Sequence, residues 1–268
     1  MPPTQPPTFL LVTGSFALPS MYEPVLSLLP RHLTLHVPHL RTVSPGRDRS
    51  GTVPAPTMSD DAAYIASEIR KLADDKGTDI VLLAHSYGGV PMSECLGLEG
   101  VVKSERAKEG KRGGVVRAGY LTCLVPEVGG TAMGVLGEVK EEDRLVFKVL
   151  DDGWMYHEDL NRTRDVVCSN MKPEDADPWF ANWPRHSAIS FAGELTHAGY
   201  KNVPVSYLLC EGDRCVPPDV QRKGIETIEK ASGSKVDVTS VAADHAPNVS
   251  APQTVVNWIV KMAEMESS

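Results

Sequence analysis

Leu82-Leu83-Ala84-His85-Ser86-Tyr87-Gly88-Gly89 is the stretch on which the fold turns. It closes the continuous apolar run of residues 79–84, DIVLLA, which is bounded by polar residues. A run of this length without alternation fits a strand covered on both faces, as in a parallel sheet. A helix-like stretch, residues 88–98, follows almost at once. Strand and helix therefore meet at Ser86 in a sharp turn, where the two segments nearly touch. Small residues two before and two after the serine, Ala84 and Gly88, permit that approach, and Gly89 adds room. Alanine is the mildest departure from the usual pair of glycines. A turn of this kind strains the serine backbone and leaves its hydroxyl exposed.

Outward from this turn the chain keeps a regular rhythm. Residues 8–12 (TFLLV), 33–37, 116–124, 205–210 and 235–241 read as further strands. Residues 20–29, 61–73, 217–230 and 254–265 read as helices, the second with an N-cap in Ser59-Asp60-Asp61. The order predicts an α/β fold: a mostly parallel central sheet flanked by helices. Two segments interrupt it. Residues 99–114 are charged and predict an exposed excursion. Residues 126–200 carry three of the four tryptophans, Trp154, Trp179 and Trp183, and predict an inserted, mainly helical cap. The domains expected are thus a core of 1–125 and 201–268 and a cap of 126–200.

A serine hydroxyl becomes a useful nucleophile when a base takes its proton. His245, in Asp244-His245-Ala246-Pro247, lies between the strand 235–241 and the last helix, at a strand's C-terminal edge. Sites of open parallel sheets form there. An acid must hold the imidazole in its productive tautomer. Asp213, in Cys210-Glu211-Gly212-Asp213-Arg214, is the candidate, with Glu211 and Asp244 as competitors. The chain order Ser86, Asp213, His245 sharpens the reading. Backbone N–H groups must receive the developing negative charge. Tyr87 N–H, at the head of the helix, is one candidate. Ser15 N–H, in Val12-Thr13-Gly14-Ser15-Phe16, is the other, with Phe16 as fallback. His85 is expected to pack under the turn. Phe16, Cys123, Trp154, Trp179 and Trp183 are candidate pocket residues. His186 and His197 are candidate supporting groups.

The turn at Ser86, the Gly14-Ser15 loop, the acid turn at Asp213 and the Asp-His-Ala-Pro turn together resemble the α/β-hydrolase superfamily. The chain looks similar to its small cap-bearing serine esterases, in the branch of plant methyl-salicylate esterases and hydroxynitrile lyases. Fungal α/β-hydrolases are closer still across Val203-Pro204-Val205-Ser206-Tyr207 and Pro217-Pro218-Asp219-Val220-Gln221. The resemblance spans nearly the whole chain and is weak across residues 124–196. It implies a serine hydrolase acting on a carboxylic ester, lactone or thioester of a small, largely apolar molecule, with no metal or organic cofactor. A lyase or cyclase using the same three residues for acid–base work is one alternative, and a ligand receptor on the same scaffold is another. One departure bears on the lyase reading: Thr13-Gly14 stands where the family usually has His-Gly, a change expected to reshape the acyl pocket.

Bulk properties set the remaining bounds. The chain of 268 residues is 41% apolar and 23% charged, an ordinary globular composition. Its net charge of −8 opposes nucleic-acid binding. Five widely spaced cysteines without a CxxC argue against a disulfide scaffold or structural zinc and for a reducing, cytoplasmic setting. The proline-rich start lacks a basic segment and argues against a secretory leader. No apolar run approaches a membrane span. The partner expected is a small-molecule substrate, and the oligomeric state is not legible.

Overall fold

The computed structural model describes residues 6–267. Residues 1–5 of the proline-rich start, and with them most of the argument against a leader, lie outside that range. In chain order the strands are β1 (Thr8–Val12), β2 (Thr34–His36), β3 (Asp79–His85), β4 (Gly114–Leu121), β5 (Phe147–Val149), β6 (Trp154–His157), β7 (His186–Ser187), β8 (Val205–Cys210) and β9 (Asp237–Val241). The helices are α1 (Glu23–Leu28), α2 (Met58–Lys76), α3 (Gly89–Cys95), α4 (Lys103–Lys108), α5 (Ala132–Leu136), α6 (Leu160–Val167), α7 (Pro173–Phe180), α8 (Pro218–Ser232), α9 (Pro247–Ser250) and α10 (Pro252–Ser267).

Six strands build the central sheet in the order β2-β1-β3-β4-β8-β9, and every neighbouring pair is parallel. Parallel strands need crossovers, and the helices that make them cover both faces. Alternation along each strand divides the core accordingly. Leu10, Val12, Leu82 and Ala84 point to the layer holding Ile65 and Ile69 of α2 and Ile225 and Ile228 of α8. Phe9, Leu11, Val81 and Leu83 point the other way, onto Val25 of α1 and Val255 and Ile259 of α10.

Three local readings shift. Helix α2 starts earlier than the Ser59 region, because Thr57 and Asp60 close a reciprocal capping box: Thr57 Oγ1 accepts from Asp60 N–H and Asp60 accepts from Thr57 N–H. Strand β4 stops at Leu121 instead of running to residue 124, since Thr122 turns to φ 45°. The excursion of residues 99–114 contains α4, anchored by Arg106, whose buried guanidinium binds Asp74 and the carbonyls of Gly100, Arg112 and Gly113.

Residues between β4 and β8 hold the short helices α5, α6 and α7. They also hold an antiparallel sheet, β5-β6-β7, which sequence periodicity did not reveal. Its strands span two to four residues, too short for alternation to register.

Candidate active site

Three adjacent strands end in strained loops at one edge of the sheet. Phe16 beyond β1, Ser86 beyond β3 and Thr122 beyond β4 have φ of 53°, 55° and 45°, the three positive values outside glycine among the described residues. Such strain persists where packing overdetermines it. At Ser86 the cause is visible: a Cβ on Gly88 would stand 2.6 Å from the carbonyl oxygens of both Val12 and Thr13, so only glycine lets the helix head lie against the end of β1.

The structure brings Ser86, His245 and Asp213 together. His245 Nε2 lies 2.9 Å from Ser86 Oγ, and its Nδ1 lies 2.8 Å from Asp213 Oδ2. Asp213 Oδ1 accepts from the N–H groups of Cys215 and Val216, both at 2.8 Å. Burial pushes the Asp213 carboxyl up, against the pull of His245 and those two N–H groups. Burial disfavours the charged form of His245, but the Asp213 carboxylate outweighs it and holds the imidazole well above its ordinary value.

The competing acids are engaged elsewhere. Glu211 is exposed and binds Arg222 and Ser240. Asp244 accepts from the N–H groups of Ala246 and Asn170 and from Ser250 Oγ, bracing the loop that carries His245. Sequence reading missed Gln221. This buried amide accepts from Cys210 N–H, donates to the carbonyls of Cys210 and Val216, and reaches Asp213 Oδ2 at 3.4 Å, so it clasps the acid turn. A polar residue on the inner face of α8 was the available signal.

His85 packs under the turn, and its hydrogen bonds are fully determined. Burial and the neighbouring His245 push its imidazole down to about 3, so it is neutral. The His245 carbonyl, 2.8 Å from Nε2, can only accept, which places the proton on Nε2. Nδ1 then accepts from the Tyr22 hydroxyl at 2.8 Å, whose oxygen accepts from Gly14 N–H at 3.2 Å. One chain of bonds thus joins the loop after β1, the turn after β3 and the loop carrying His245.

Above Ser86 lies a cavity of about 210 Å³, lined mostly by apolar side chains from the loops at the sheet edge and from the segment between β4 and β8. Of the candidate pocket residues, Phe16, Trp179 and Trp183 line it. Ser15 also lines it, and Tyr87 directly follows Ser86, its ring buried against Phe191 and its hydroxyl turned to Asp61. Trp154 and Cys123 do not line it, and both are corrections. Trp154 is wholly buried, with its indole N–H on the Thr52 carbonyl and its ring filling the space beside Gly51. Cys123 is packed behind the turn, against Gly89, with its thiol on the Ala84 carbonyl. Thr13 is also wholly buried and outside the lining. His186 bonds Ser190 behind the cavity, and His197 pairs with Glu94 away from it.

All five cysteines are unbridged. Among the described residues no group of three or more His, Cys, Asp or Glu side chains is arranged to hold a metal ion. None of the described helices is long and apolar enough to cross a membrane.

The model of the alpha/beta hydrolase family matches residues 9–258. The chain belongs to that family. This hydrolase is 33% identical over 259 residues to the probable hydrolase R7 of a Phoma species, covering 97% of this chain and 99% of that one. It is similar in structure to a pyrethroid hydrolase of Sphingobium faniae, with a TM-score of 0.73, 22% identity and 96% and 97% of the two chains covered. A methylesterase of Arabidopsis, MES16, superposes with a TM-score of 0.69 at 15% identity, over 96% of this chain and 99% of that one. The plant methylesterases named by resemblance therefore do share its fold.

Proposed function

We propose that this hydrolase cleaves a carboxylic ester, lactone or thioester of a small, largely apolar molecule through an acyl-enzyme on Ser86. The observation that carries the reading is the relay from Ser86 Oγ through His245 to Asp213, with steps of 2.9 and 2.8 Å, at the floor of an apolar cavity. Both the fungal relative and the structural neighbours bear hydrolase or esterase names, which supports the same class.

In this mechanism His245 Nε2 takes the Ser86 proton as Oγ attacks the carbonyl carbon. The tetrahedral oxyanion rests on Tyr87 N–H and Ser15 N–H, where the head of the turn and helix also favours negative charge. His245 then hands its proton to the leaving alcohol or thiol. A water molecule, deprotonated by the same nitrogen, releases the acid and restores Ser86. Asp213 keeps Nδ1 protonated and stabilises the imidazolium throughout.

The feature that bears on a lyase is the Thr13-Gly14 departure. Thr13 lies outside the cavity lining, so nothing at that position favours the lyase over hydrolysis. The test is a fluorophosphonate probe with mass mapping, run beside a chromogenic ester panel of rising acyl length. Ser86 is expected to carry the adduct, and Ser86→Ala to lose both labelling and turnover. Turnover retained in Ser86→Ala would overturn the acyl-enzyme.

A further inference from the structure

Most polar groups around the cavity have an evident use; Asn248 donates to the Met21 carbonyl and keeps only its Oδ1 unmet. Asp143 is paired with Arg214 at 2.6 Å. Arg144 donates to the carbonyls of Val139 and Gly137. Tyr22 and His85 are spent in the chain to Gly14. His157, on β6, differs: it is 5% exposed, lines the cavity, and neither ring nitrogen meets a hydrogen-bond partner among the described residues. Burial alone pushes it down to about 3, so the ring is neutral and offers one donor and one acceptor. His186 makes the contrast, since its Nε2 bonds Ser190 and it does not line the cavity.

An unmet buried donor or acceptor is costly, and phenylalanine would fill the same space without that cost. The ring is held rigidly, 4.3 Å from Phe16, 4.8 Å from Phe147 and 6.1 Å from Trp183 between centroids. Trp183 Nε1 is likewise buried without a partner. The walls contain two near-parallel stacks, Phe16 on Phe147 at 10° and Phe180 on Trp183 at 16°. Flat surfaces of this kind suit a flat guest. The cavity of about 210 Å³ exceeds the ~150 Å³ that accepts a benzene ring. With Asp143 paired and Arg144 spent on backbone carbonyls, it is suited to an uncharged guest.

Building on the hydrolase reading, we infer that His157 is the residue that recognises the substrate, hydrogen-bonding an uncharged hydroxyl or carbonyl oxygen borne on a flat unsaturated ring. The ester is thus an aromatic or similarly planar one with an oxygen substituent, attached by a short chain.

The test uses methyl phenylacetate and its three ring-hydroxylated isomers as substrates. At least one hydroxylated isomer is expected to exceed the parent in kcat/KM by about tenfold or more, because a site built for a hydrogen bond rejects the analogue lacking it. In His157→Phe that ratio should fall to near one, and His157→Gln should restore part of it. A purely structural role would depress all four esters together and leave the ratio intact, which would overturn the proposal. So would an isomer panel turned over without preference by the unaltered protein. Calorimetric binding of phenylacetone and its three ring-hydroxylated isomers to Ser86→Ala gives the same comparison without hydrolysis. If no ester is cleaved but a hydroxylated ketone still binds tightly through His157, the hydrolase reading fails and this one stands. Equal binding of all the ketones would overturn it.

Discussion

In the proposed mechanism His245 accepts the Ser86 proton only while its own Nε2 is bare. Its basicity is held above the ordinary histidine value by Asp213, so the neutral, active form prevails only above that raised value. The acid limb of kcat/KM is therefore expected above pH ~6.5, rising with pH. Asp213→Asn removes the carboxylate and favours the wrong tautomer. Activity should fall by roughly 10⁴-fold, and the limb should move to lower pH. A pH–rate profile of both proteins checks the two effects together. Ser86 and His245 were legible because each sits at the end of a recognisable strand. Asp213 was legible only against Glu211 and Asp244, and what separates the three is where their carboxylates point. Gln221 was hidden for a related reason: its role is to close a ring of hydrogen bonds between segments, and no local pattern announces that.

At the scale of elements, the turn between β3 and α3 is fixed by contact with β1, a segment some seventy residues earlier in the chain. Gly88→Ala places a methyl group 2.6 Å from two backbone oxygens. Something must shift, at an expected cost of about 1–3 kcal/mol, read in denaturant unfolding. The serine should lose reactivity with it, seen as slower fluorophosphonate labelling of the protein that remains folded. The long core elements were readable because strands such as β3 are apolar throughout and helices such as α2 carry a clear apolar face. Their ends were less so: Thr57 displaced the expected cap, and Thr122 cut β4 short. The sheet β5-β6-β7 escaped notice altogether. Its strands are held by tertiary packing, and Trp154 was misplaced with them. A large aromatic residue in an insertion gives no sign of whether it faces a cavity or fills the join between segments.

The whole molecule carries a pH response that does not depend on the site. Asp61, on α2, is wholly buried and has no counter-ion among the described residues. Its acceptors are met by Arg41 N–H, Thr42 N–H, Thr42 Oγ1 and, at 3.5 Å, Tyr87 OH. Burial still prevails and pushes its carboxyl from 3.8 up to about 7. The folded chain thus holds a proton that the unfolded chain has released. That contribution is complete below the unfolded value and is lost as pH rises through the folded one. It amounts to on the order of 4 kcal/mol between about pH 4 and pH 7. Thermal melts across this range should show stability declining toward neutrality, and Asp61→Asn should flatten the slope. An unchanged slope would mean that the hydrogen bonds offset the burial.

The bonds from Gly14 through Tyr22 and His85 to His245 have a temporal meaning as well. During synthesis the chain emerges from its first residue onward, and the strands β1 to β4 with their helices can pair before the end is made. The carbonyl that His85 binds and the imidazole that Ser86 needs both belong to residue 245. Until that residue is made, His85 Nε2 lacks this acceptor and, in the proposed mechanism, Ser86 lacks its base, so the nascent protein is expected to be inactive. On that mechanism activity is expected to arrive late, after residues 126–200, which supply much of the cavity wall, have already been translated.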